Sequence, residues 1–210
     1  KKQCEDLGME AMLQVARGSA KEPKFIIMKY MPLKDKTDHL TFVGKGLTYD
    51  SGGYAIKPTS GMVTMKCDMG GSAAVVGAMY SISQNKIQKN VVAVVAAVEN
   101  MISGDAYKNG DIIGSMKGST IEIGNTDAEG RLTLADALYY AATKLESKAI
   151  VDLATLTGAC IVALGEKATG IVSNDDNLAN LMLESAKNAD EDMHRFTVFE
   201  SHREQVKGKF

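Results

Sequence analysis

Apolar residues recur along this chain in blocks whose spacing alternates between that of helices and that of strands. In residues 4–16, Leu7, Met9, Ala11, Met12 and Val15 fall at helical spacing, and Gly18 supplies a stop. Residues 25–31 read as a strand closed by Pro32. After a charged turn, residues 40–44 read as a second strand that runs into a glycine-rich loop, 45–53. An irregular segment continues to Met69, where Gly70 and Gly71 open a helix of small residues, 72–83. Residues 91–98 are valine and alanine throughout, the mark of a strand buried on both faces in a sheet covered by helices. Another loop, 101–118, leads to an alternating strand at 119–123, and a strong helical pattern starts at Leu132. Residues 149–154 read as a strand, 155–163 as a helix, 170–173 as a short strand and 178–189 as an amphipathic helix. This order predicts one α/β domain over 1–210, a mostly parallel sheet flanked by helices on both faces, with no internal repeat. Phe210 follows no stop signal, so the sheet is expected to be C-terminally incomplete.

Composition narrows the function classes. With 210 residues and 45% apolar content the chain can bury a sizeable core. A net charge of −2 argues against a nucleic-acid or other polyanionic partner. No run of about 18 apolar residues marks a membrane span. Cys4, Cys67 and Cys160 are far apart, which points to free thiols in a reducing compartment and away from a thiolate zinc site. His39, His194 and His202 lie far from the acidic motifs, so any metal site here is oxygen-rich. The chain opens at Lys1 without a signal-like segment and reads as a fragment.

The densest polar motif is Asn125-Thr126-Asp127-Ala128-Glu129-Gly130-Arg131-Leu132, placed where a predicted strand ends and a helix begins. Two carboxylates crowded there call for a cation. The plainer alternative is an acidic surface turn that favours the following helix dipole. Lys45, Asp50, Lys57 and Asp68 lie at the ends of other predicted strands or in adjoining loops. If a parallel sheet gathers these residues at one edge, four carboxylates face two lysines and Arg131. Such a set suits a pair of divalent ions with shared ligands, able to lower the pKa of a bridging water and polarise a carbonyl or phosphoryl oxygen. Lys57 and Arg131 would then steady negative charge in the transition state. Gly44-Lys45-Gly46-Leu47-Thr48 lacks the GxxxxGK[ST] pattern of a phosphate cradle. Met62, Met65 and Met69 read either as core filler or, for Met65, as the wall of an apolar pocket. Cys67 has no histidine close in sequence and reads as a packed thiol.

The block at 125–132, NTDAEGRL, resembles the signature of the leucyl (cytosol) aminopeptidase family, the dizinc M17 peptidases. Val43 to Gly53 is similar to its VGKG[IL]TFDSGG block, with Tyr49 in place of the usual phenylalanine. Met65 to Gly71 resembles its metal-binding MxxDMGG, and Asp152 to Ala159 its D[IL]ATLTGA. The resemblance implies two divalent ions, zinc or manganese. Lys45, Asp50, Asp68 and Glu129 would hold the tighter one, and Asp50, Asp127 and Glu129 the more exchangeable one. It further implies that Lys57 polarises the scissile carbonyl, that Arg131 binds a bicarbonate acting as general base, and that Met65, Thr155 and Gly158 border the pocket for the substrate's N-terminal side chain. The implied protein is a cytoplasmic homohexamer acting on peptides through a metal-bridging water, with an N-terminal domain and a C-terminal segment outside this chain. Two other readings of the same residues stay open: a dimetal phosphoesterase, and a binding module without catalysis.

Overall fold

The computed structural model describes residues 1–208, which form two compact units, the first covering 1–156 and the second beginning at Thr157. The first unit opens with two short helices, α1 (Lys2–Asp6) and α2 (Glu10–Ala16). The single helix expected over 4–16 is broken because Gly8 takes a φ of +70°, the left-handed conformation that terminates helices. The break lets Met9 and Met12 both sink completely into the core.

Then follow β1 (Lys24–Tyr30), β2 (His39–Asp50), α3 (Thr59–Met62), a 3-10 turn at Met65–Cys67, α4 (Gly70–Gln84) and β3 (Asn90–Asn100). The two-residue strands β4 (Ile112–Ile113) and β5 (Ile121–Glu122), a second 3-10 turn at Thr126–Ala128, α5 (Gly130–Thr143) and β6 (Ala149–Leu153) complete the unit. The main sheet has the order β1-β3-β2-β6. Only β1 runs antiparallel to its neighbour; β3–β2 and β2–β6 are parallel, as expected for a mostly parallel α/β sheet. Helices cover both faces. Val75 and Met79 of α4 pack on Val91, Ala93 and Val95 of β3. Val94, Ala96 and Val98 point the other way, into a core shared with α2, α5 and Val43 and Leu47 of β2. The period-2 alternation of a strand thus explains why an unbroken apolar run was needed there.

Two local expectations change. Strand β2 does not stop at Gly44 but runs through the supposed loop to Asp50. Its glycines serve close packing: a Cβ on Gly44 would stand 2.6 Å from Cα of Ser72 in α4, and one on Gly46 2.7 Å from Cγ1 of Val95. Conversely, the strand expected over 119–123 shrinks to β5, which pairs antiparallel with β4 in a separate ribbon. Hydrogen bonds from Gly110 N to Ile123 O (2.7 Å) and Ile123 N to Asp111 O (2.9 Å) tie this segment back on itself, outside the main sheet.

The second unit contains α6 (Gly158–Leu164), β7 (Thr169–Ile171), α7 (Asp176–Asn188), β8 (Met193–Arg195) and α8 (Glu200–Gln205), with β7 and β8 parallel. Helix α6 starts later than the apolar pattern proposed, because the Thr157 hydroxyl caps it by accepting from Ala159 N. Helix α7 starts earlier, where Asp175 accepts from Leu178 N at 2.9 Å. Among the described residues no helix is long and apolar enough to cross a membrane.

Candidate metal centre

Parallel strands place their C-terminal ends on one edge of a sheet, and in this unit those ends carry the polar residues. Strand β2 contributes Lys45 and Asp50, both nearly fully buried. In a regular strand an odd separation of five would send these two side chains to opposite faces. The register against β3 slips at Thr48: Leu47 stands opposite Val98 and Tyr49 opposite Glu99. This β-bulge restores the parity, so Lys45 and Asp50 share the face that also carries Val43 and Leu47. Asp68 lies just ahead of α4 and Glu129 just ahead of α5, each near the positive end of a long helix that favours a carboxylate. Asp127 sits in the 3-10 turn before Glu129, where the Asn125 side chain accepts from Asp127 N at 2.8 Å.

The carboxylates and lysines form two linked ion clusters. Lys45 Nζ lies 2.9 Å from Asp68 Oδ2 and 2.9 Å from Glu129 Oε1, and donates to the Thr155 carbonyl at 3.0 Å. Lys57 Nζ lies 2.8 Å from Asp50 Oδ2 and 2.6 Å from Asp127 Oδ1. Asp50 Oδ1 accepts from Gly52 N (2.9 Å) and from Asn100 Nδ2 (2.8 Å), and Asp68 Oδ1 from the Thr155 hydroxyl (2.8 Å). One oxygen each from Asp50, Asp127 and Glu129 lies within 4.8 Å of the others.

The electrostatics show unmet demand for positive charge. Four carboxylates meet two ammonium groups, and burial makes the excess costly. Burial, with the Asp50 charge adding to it and Lys45 opposing it, pushes the Glu129 carboxyl up to about 7. Burial likewise raises Asp68 against the pull of Lys45. Burial alone would lower the Lys45 ammonium, but Glu129 and Asp68 outweigh it and hold the amine protonated. Lys57 is raised in the same way by Asp127 and Asp50. Glu129 Oε2 is buried without a hydrogen-bond donor, while Asp68 Oδ2 and Asp127 Oδ1 meet their lysines off the hydrogen-bonding direction. The grouped oxygens of Asp50, Asp127 and Glu129, with an unpartnered Glu129 oxygen and the Lys45 amine close by, fit hard or borderline divalent cations.

The remaining sequence candidates fall as follows. Arg131 is exposed on the first turn of α5 and joins no ion pair among the described residues. Met65 opens the 3-10 turn that delivers Asp68. Thr155 touches the ion cluster directly, through both its hydroxyl and its carbonyl. Gly158 is the first residue of α6, in the second unit. Three buried supports were not legible in the sequence: Asn100 at the end of β3, Thr126 in the acidic turn, and Tyr107. The Thr126 hydroxyl donates to Gly52 O (2.7 Å) and accepts from Ala55 N (2.8 Å), and Tyr107 donates to Thr126 O (2.9 Å). Each joins loops distant in sequence, and no local pattern announces such a role.

Comparison with known proteins agrees with this architecture. The family description "Cytosol aminopeptidase family, catalytic domain" matches residues 1–210. A probable cytosol aminopeptidase of Treponema denticola is 55% identical over 209 residues, covering 100% of this chain and 44% of that protein. Proteins of the same description from Clostridium tetani and Clostridium perfringens are 53% and 52% identical, over 100% and 98% of this chain and 44% and 42% of their own lengths. The chain therefore spans less than half the length of these curated relatives.

Proposed function

Because the chain belongs to the cytosol aminopeptidase family, we propose that the whole protein is a two-metal aminopeptidase, removing N-terminal residues with a preference for apolar, leucine-like side chains. The observation that carries this reading is the acidic triad of Asp50, Asp127 and Glu129 beside the Lys45–Asp68 pair. Lys45, once metal binding displaces its proton, would hold one divalent ion with Asp50, Asp68 and Glu129, and Asp50, Asp127 and Glu129 would hold the other, zinc or manganese in either case. Bound there, the ions supply Lewis acidity and lower the pKa of water at neutral pH.

The chain's own residues do the rest. Lys57 reaches the rim of the cluster with its side chain 16% exposed, so its ammonium can donate to a carbonyl oxygen as negative charge builds on it. Arg131 presents a free, planar guanidinium fork at the start of α5, matched to a bidentate oxyanion such as bicarbonate. Thr155 fixes Asp68 and Lys45 together, and Met65, on the turn that leads to Asp68, would supply an apolar wall for the substrate's N-terminal side chain. A cytoplasmic homohexamer belongs to the same reading, on the strength of the sequence resemblance.

The test uses the full-length enzyme with zinc or manganese, a panel of aminoacyl-p-nitroanilides, and p-nitrophenyl phosphate. Anilide hydrolysis that Glu129→Gln abolishes supports the proposal. Turnover of the phosphate ester in place of the anilides would make the protein a phosphoesterase, and turnover of neither would make it a binding module; both outcomes reject the proposal.

A further inference from the structure

Asn100 is the last residue of β3 and has no exposed surface. Its backbone carbonyl accepts from Ser51 N (3.0 Å) and from the Ser51 hydroxyl (2.8 Å), which anchors the chain just beyond Asp50. Its side-chain amide spends both hydrogens on the site. One goes to Asp50 Oδ1 (2.8 Å) and the other to the Thr126 carbonyl (3.0 Å), next to Asp127. A flipped amide would set an oxygen against two acceptors, so these contacts fix which atom is the nitrogen. The opposite atom, Asn100 Oδ1, is buried with no hydrogen-bond partner. A polar side chain that leaves its own acceptor unsatisfied in the core carries a cost, and something must offset it.

We propose that Asn100 is a positioning residue of the metal centre: its amide locks Asp50 in one orientation and clamps the Asp50 loop to the Asp127 turn, which sets the spacing of the carboxylates. The proposal rests on the reading of Asp50 as a metal ligand and extends it to a residue that cannot itself reach the ion through its nitrogen. With Asn100 Nδ2 on Oδ1, the other oxygen of Asp50 faces the cluster, where Lys57 now meets it. The clamp also joins Asp50 to Thr126, two segments far apart in sequence, with one short side chain. Rigid outer support of this kind usually governs metal affinity by 10–100-fold.

The experiment is a metal titration of the full-length protein with manganese and a competing chromophoric chelator, alongside melting of the metal-free form. Asn100→Ala is expected to weaken metal binding at least tenfold. Tyr107→Phe removes a hydrogen bond from the same Thr126 carbonyl without touching Asp50; it is expected to lower the melting temperature while leaving affinity within about threefold. In an Asp50→Asn background, Asn100→Ala should lose most of its effect on affinity, keeping only what the bond to the Thr126 carbonyl contributes. If Asn100→Ala does not fold, Asn100→Ser, which keeps a polar atom too short to reach Asp50, carries the same comparison. Wild-type affinity in the Asn100 variants overturns the proposal. So does an equal loss in Tyr107→Phe, or a loss that persists undiminished in the Asp50→Asn background. Unchanged affinity in Asp50→Asn alone would instead reject Asp50 as a ligand, and the function reading with it.

Discussion

A single added methyl group probes how tightly the ion cluster is built. Gly130 is the first residue of α5 and is buried against Lys45. A Cβ at this position would stand 2.8 Å from Lys45 Cε, 2.9 Å from Nζ and 3.0 Å from Cδ. Carbon atoms at rest sit about 3.5–4.0 Å apart, so the lysine must withdraw by about 0.7 Å or more. Its ammonium has little room to do so, with the side chain 4% exposed and held by Asp68, Glu129 and the Thr155 carbonyl at 2.9, 2.9 and 3.0 Å. Stretching the contact to the Thr155 carbonyl past about 3.5 Å forfeits a charge-assisted hydrogen bond, a loss of about 1.5–3 kcal/mol. Alanine returns at most about 1 kcal/mol through helix propensity, and less than that at a first turn. Gly130→Ala should therefore leave the fold intact but cost the metal-free protein about 1–2 kcal/mol. Metal sites tolerate ligand displacements of about 0.2 Å, so the same shift should weaken the ion held by Lys45 at least tenfold.

Calorimetric metal titration and thermal melting of the full-length Gly130→Ala protein read both effects. Repeating them in a Lys45→Ala background isolates the cause. There the methyl group meets no lysine, and the second substitution should be neutral or slightly stabilising. Wild-type affinity and melting temperature in Gly130→Ala would refute the reasoning. An equal penalty in both backgrounds would trace it to α5 itself and not to Lys45.

Three further outcomes follow from the same contacts. Lys57→Ala and Arg131→Ala should each lower kcat by on the order of 10²–10³ with a much smaller change in KM, since both act on charge that develops late; steady-state kinetics with kcat unchanged would remove the assignment. Lys45→Met should weaken the tighter metal site at neutral pH if the amine is a ligand, whereas equal or tighter binding by titration would make Lys45 only a counter-charge to Asp68 and Glu129. Asp136 is buried in α5 and accepts from Met12 N (2.9 Å) and Met116 N (2.8 Å). Asp136→Asn should destabilise the fold by about 1–3 kcal/mol, visible in urea melts. Burial raises the Asp136 carboxyl despite those two donors, so the folded state holds its proton more tightly than the unfolded state. The wild type then gains stability from this group as pH falls toward the unfolded value of about 3.9, and the gap to Asp136→Asn should widen on acidification. A gap that narrows contradicts the sign.

What the sequence made legible was the part of the fold fixed by local pattern. The valine run of β3 announced a strand buried on both faces, and α4 and α5 followed from spacing and a clear start. What it concealed depended on neighbours. Glycines at 44 and 46 read as loop residues because nothing local reveals that α4 and β3 pass too close for a side chain. The site residues were recognisable as a set because carboxylates, lysines and glycines cluster in short blocks. Their pairing was not: Lys45 turns to Asp68 and Glu129, while Asp50, near it in sequence, is taken by the more distant Lys57.

The bulge at Thr48 shows why that pairing has to come from three dimensions. Counting along the chain separates Lys45 from Asp50 by an odd number of residues, which in an unbroken strand buries one and turns the other through the sheet. One extra residue, exposed and bonded through its hydroxyl to Val98 O at 3.2 Å, reverses that outcome. It leaves Lys45 under the start of α5 beside Glu129, and aims Asp50 past it toward the Asp127 turn. Both ends of the site then rest on one strand, four paired positions apart on β3, between Ala96 and Asn100. The spacing of Lys45 and Asp50 is thus held by a strand paired with β3 as far as Asp50. The loops that bring Asp68, Asp127 and Lys57 have only to close onto it.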